Sequence, residues 1–133
     1  MPKLAIFLLL AVVLAACRSG QADGPVQVDI ISLDHAPIRP AVQEALAVAA
    51  EYGDQVAAQS YNFDTPEGTT FAEAHDLAEH TPMAIFVNGE MEFQVDGRTI
   101  KFYSFPQGAG TGMVAEGGWT MDDLRAVLDQ ATN

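Results

Sequence analysis

Apolar residues along this chain fall into short blocks whose period switches between that of a strand and that of a helix. Val26, Val28, Ile30, Ile31 and Leu33 dominate residues 26–33, a β-branched run that predicts a buried strand. Pro37 and Pro40 follow, and proline is tolerated only in a helix's first turn, so a helix is expected to start there. Over 41–52 the apolar residues Val42, Ala45, Leu46 and Ala49 recur at helical spacing, and Gly53 ends the run. Residues 56–63 alternate enough for a second strand, and 64–68 (Asp64, Pro66 and Gly68 among them) turn the chain out of it. Residues 71–78 read as a short, acid-rich amphipathic helix.

Thr81 and Pro82 introduce a third apolar strand over 83–87, closed by Asn88-Gly89, a strong hairpin signal. Residues 92–95 and 98–102 flank Asp96-Gly97 and predict a second hairpin. A glycine-rich loop spans 105–112. Thr120 with Asp123 three residues on predicts a capping box opening a last helix, whose inner face is Met121, Leu124, Val127 and Leu128. The expected fold class is α/β: a central mixed β-sheet flanked by helices, with an extended hairpin before the C-terminal helix. One domain, 26–133, accounts for all of it, without internal repeats.

The N-terminal pattern is of another kind. Lys3 precedes an uninterrupted apolar run over 4–14, shorter than the roughly 20 residues a membrane-spanning helix needs, so it reads as a signal-peptide core. The run ends in Leu14-Ala15-Ala16-Cys17, which resembles the lipobox of bacterial lipoproteins. That resemblance implies a signal peptide over 1–16, lipidation of Cys17 with a diacylglycerol, and an extracytoplasmic protein anchored to a bacterial membrane. Residues 17–25, small and polar with two glycines, then serve as a tether.

Composition narrows the chemistry. Cys17 is the one cysteine, so no intramolecular disulfide can form and stability must come from a core. Eighteen acidic residues against six lysines and arginines give a net charge of −12, which argues against nucleic acid and against anionic lipid headgroups as partners. Ser32, Ser60 and Ser104 lack the G-x-S-x-G setting of an exposed nucleophile. The glycine-rich loop lacks the lysine and the helix directly behind it that a phosphate loop requires. No catalytic constellation is evident, and no cofactor beyond the lipid is expected.

The order strand, helix, strand, helix, strand, hairpin, helix is similar to that of the thioredoxin-like family, and particular residues carry the likeness. Residues 28–64 align with the family's first half without a gap. Asp29 falls where thioredoxins bury an aspartate, and Asn62-Phe63-Asp64 on the family's N-hydrophobe-D at the end of its second strand. Thr81-Pro82-Met83, followed by residues 85–89, resembles the cis-proline and its strand-turn, and Gly117 the glycine before the last helix. Where the family carries C-G-P-C, this chain carries His35-Ala36-Pro37-Ile38. Dithiol exchange needs an attacking thiolate and a resolving thiol, and neither is present there.

The resemblance therefore implies a redox-inactive domain that retains a peptide groove formed by His35, Ala36, Pro37, Ile38, Thr81 and Pro82. In such a groove the backbone of Thr81 would pair with an extended peptide, or with a segment of an envelope protein, as an added strand. It also implies a buried Asp29. A second alternative is a copper or metal-delivery site from His35 and His80, which approach each other in that fold, with Met83 nearby. Third, the long hairpin region offers Phe93, Phe102, Tyr103 and Phe105 as a partner surface for an envelope-complex subunit.

Overall fold

A computed structural model describes residues 24–108 and 117–133; the signal segment, Cys17, the tether to residue 23 and the glycine-rich residues 109–112 lie outside the described residues. In chain order the elements are β1 (Val26–Ser32), α1 (Arg39–Ala50), β2 (Val56–Asn62), α2 (Pro66–Ala74), β3 (Met83–Val87), β4 (Glu92–Val95), β5 (Arg98–Lys101) and α3 (Met121–Thr132). Among the described residues no helix is long and apolar enough to cross a membrane.

β1 lies centrally, parallel to β2 on one side and antiparallel to β3 on the other, so the sheet is mixed with order β2-β1-β3. The β4–β5 hairpin forms a separate two-stranded sheet. Beyond it the chain returns beside β3. The Ile85 N–H donates to the Phe102 carbonyl (3.0 Å) and the Ser104 N–H to that of Met83 (2.9 Å).

Alternation along β1 and β3 divides the core between two faces. On one, Val28, Ile30, Met83, Ile85 and Val87 pack with the inner residues of α1 and α3 and with Ile100, Phe102, Phe105 and Trp119. On the other, Ile31, Ala84 and Phe86 meet Ala72 of α2, with Tyr61, Phe63, Phe71 and Leu77 around them. Helices α1 and α2 thus cover opposite faces.

Local chemistry fixes the element ends. α1 opens with proline in its first turn. α2 begins at Pro66, earlier than the apolar spacing predicts, because the Thr65 hydroxyl caps it by accepting the Gly68 N–H at 3.1 Å. A Cβ on Gly68 would stand 1.8 Å from the Asn62 carbonyl oxygen, so only glycine fits where α2 leaves β2. α3 has the expected capping box: the Asp123 N–H donates to the Thr120 hydroxyl (3.1 Å), and the Asp123 carboxylate accepts the Thr120 N–H (2.9 Å). Gly117 is required for a different reason, since a Cβ there would meet the Tyr103 carbonyl oxygen at 2.2 Å.

Candidate functional site

At the C-terminal ends of the parallel strands, β1 passes to α1 on one face and β2 to α2 on the other. Loops that diverge in this way leave a crevice between them, the usual ligand position in open α/β sheets. Two hollows lie there. One, of about 270 Å³, has an apolar floor of Leu33, Phe63, Ala72 and Leu77, with Asp64 and His80 among its other residues. The second, of about 260 Å³, lies on the α1 side between Arg39, Val42 and Gln43 and the strand end at Ser60 and Asn62. Both fall below the roughly 300–1,000 Å³ of pockets that enclose a small-molecule ligand. Their size suits single side chains of a longer ligand.

Charge around the crevice is one-sided. Residues 40–97 contain no lysine or arginine. Arg39, at the start of α1, is held by Asp34 at 2.7 Å with both side chains more than half exposed. Arg98 is engaged by Asp123, and Arg125 by Glu51 and Asp122. Asp64, Glu73 and Glu79 therefore wall the Leu33 hollow with no cation among its lining residues.

The H-A-P-I segment divides by burial. His35, Ala36 and Pro37 are exposed, whereas Ile38 is 5% accessible and belongs to the core. The His35 carbonyl accepts the N–H groups of Ile38 (2.9 Å) and Arg39 (3.2 Å), and this turn aims Ile38 inward at the start of α1. Ile38 is thus not a groove residue. Thr81 also departs from expectation. It is 2% accessible, its N–H donates to Ala78 O (3.2 Å), and its hydroxyl donates to the same oxygen (2.7 Å) and lies 3.3 Å from the Tyr103 hydroxyl. The Pro82 carbonyl accepts the Leu33 N–H at 3.2 Å, and none of the described peptide bonds is cis, so the Thr81–Pro82 bond is trans. Of the Thr81 backbone expected to pair with a peptide, the N–H is already used within the protein.

Asp29 is half-buried, not buried, because it sits on the α2 face of β1 beside the partly open ring of Tyr61. Burial, and then the neighbouring Asp29 carboxylate, push the Tyr61 phenol above its usual range. That ring stacks on Phe71 at 4.4 Å between centroids, and Phe71 stacks on His75 at 4.1 Å. Sequence periodicity did not single out this aromatic row: Phe71 and His75 stand four residues apart at the end of α2, but Tyr61 comes from β2 and joins them only across the α2 face.

The metal-site residues differ in their surroundings. Met83 is wholly buried on the α1 and α3 face, His80 lines the Leu33 hollow, and His35 is on an exposed turn. Among the described residues there is no group of three or more His, Cys, Asp or Glu placed to hold a metal ion. Of the hairpin aromatics, Phe102 and Phe105 are 0% accessible and pack in the core, so they cannot face a partner; Phe93 and Tyr103 are half-buried.

Compared with protein-family models, with curated proteins and with solved structures, the chain matches none.

Proposed function

We propose that this chain is a redox-inactive binding module with a thioredoxin-like arrangement, held at an extracytoplasmic membrane face through Cys17. In this reading it takes part of an extended segment of another envelope protein into the hollow over Leu33. The make-up of that hollow is what carries the reading: an apolar floor bordered by acids, open at the end of the sheet where its two crossovers diverge. The thioredoxin-like arrangement draws support from the order β2-β1-β3, and from Tyr103 bridging antiparallel to Ala84 beyond β3. Redox inactivity draws support from His35 and Ile38 standing at the C-x-x-C positions in a chain whose one cysteine is Cys17.

The test is selection of peptides from a randomised displayed library on the full chain, followed by affinity measurement of the enriched sequences. Thr69 is exposed and lines the hollow, so Thr69→Arg fills it and sets a cation among its acids, at the loss of one exposed bond from the Thr69 hydroxyl to the Phe63 carbonyl. Enriched sequences are expected to pair an apolar residue with lysine or arginine and to lose at least tenfold in affinity on Thr69→Arg. A library that enriches nothing, or affinities indifferent to that change, would overturn the reading.

A further inference from the structure

We infer that the outer edge of β2 is a second docking site, which captures a basic extended segment of a partner protein by adding it to the sheet as a fourth strand. This goes beyond the Leu33 hollow and uses a different surface. Among the described residues, β2 is terminal in its sheet. The Phe63 N–H donates to the Ser32 carbonyl at 3.0 Å, which fixes the phase of the ladder. Ala57, Gln59 and Tyr61 therefore turn their backbone groups toward β1, and Ala58 and Ser60 turn theirs outward.

Edge strands are ordinarily protected by charge, proline or a bulge. Val56–Asn62 contains no charged residue and no proline, in a chain with eighteen acids, and Ala58, Gln59 and Ser60 are all exposed. Each face beside this edge also offers a receptacle for alternate side chains of an added strand. On the α1 side is the hollow of Val42, Gln43 and Ser60. On the α2 side Tyr61, Pro66, Thr70 and Phe71 form a shallow, mainly apolar depression. Backbone pairing with pockets for alternate residues is the geometry of strand addition.

Charge selects the occupant. Asp54 precedes the strand and Asp64 and Glu67 follow it, while Arg39, the cation that lines the α1-side hollow, is held by Asp34 at 2.7 Å. A second copy fits poorly, because antiparallel pairing centred on Gln59 would set Asp54 of one chain against Asp64 of the other. An extended segment carrying lysine or arginine and no acid meets both the uncharged edge and its acidic ends.

The probe is a synthetic peptide of alternating lysine and valine, titrated onto the full chain by fluorescence anisotropy. Two further versions are N-methylated on alternate amides, one on each set, and a fourth replaces lysine by glutamate. Micromolar binding is expected for the parent and for one methylated version, with loss of at least tenfold for the other methylated version and for the glutamate peptide. Ser60→Pro removes an outward N–H without touching the bonds to β1, a position where edge strands tolerate proline, and should weaken binding at least tenfold. Should that variant fold poorly in a thermal melt, Ala58→Lys, at an exposed position, supplies the same test through charge. No measurable binding, equal effects of both methylation patterns, or affinity unmoved by the edge variants overturns the proposal. Loss on Thr69→Arg with retention on Ser60→Pro overturns it while sparing the Leu33 hollow. A dimer that Ser60→Pro dissolves would assign the edge to a second copy and overturn the choice of partner.

Discussion

Phe102→Ala separates a core aromatic from a partner-facing one. Phe102 is 0% accessible, lies edge-on to Trp119 with centroids 5.3 Å apart, and has Phe93 at 5.8 Å. Truncating a buried phenylalanine costs about 3–5 kcal/mol in transfer and cavity terms. About 0.5–1.5 kcal/mol of that is assignable to the lost aromatic pair. Against a typical domain stability of roughly 5–15 kcal/mol, the variant loses a large share, and its melting temperature should fall by roughly 12 °C or more. Half-buried Phe93 gives the comparison, since Phe93→Ala should cost about 1 kcal/mol. Urea unfolding followed by fluorescence of Trp119, the single tryptophan and itself buried, measures both. The slope of stability against urea should stay constant, so that the midpoint reports stability alone. If Phe102→Ala costs no more than Phe93→Ala, the hairpin does not close the core in the way described.

Two other outcomes are expected. Burial raises the Asp123 carboxyl, but the bonds from Arg98 and from the Thr120 N–H and hydroxyl outweigh it and hold the group below its usual range. Its stabilisation is therefore complete above about pH 4 and lost as pH falls through the lower folded value. Asp123→Asn should cost about 1–2 kcal/mol at neutral pH and flatten that part of the acid limb in urea midpoints, and unchanged acid slopes would refute this. At the other end of the chain, Cys17→Ser should leave the protein in the soluble fraction or as uncleaved precursor, and an unmodified mature Cys17 found by mass spectrometry in the native host would contradict the anchor.

Element order was legible in the sequence because local rules suffice for it. Prolines opened α1, Asp96-Gly97 turned β4 into β5, and Thr120 with Asp123 began α3, each through contacts within a few residues. The site was less legible. Ile38 and Thr81 were assigned by likeness to a groove, yet a turn at His35 buries one and a bond to Ala78 occupies the other. Neither contact leaves a periodic trace.

By itself the sequence determined the α/β class, the acidity, and a chain whose one thiol is Cys17. It did so because hydrophobic period, turn chemistry and composition are local properties. Only the tertiary structure decided which aromatics are core. The left-handed backbone at Ser104 (φ 68°) interrupts alternation, so Phe102 and Phe105, three residues apart, both turn inward. Only the structure decided, too, that β2 lies at the edge of the sheet among the described residues. A strand's own residues specify its pleat, but whether a neighbour covers its outer hydrogen-bonding groups depends on how the whole chain is threaded.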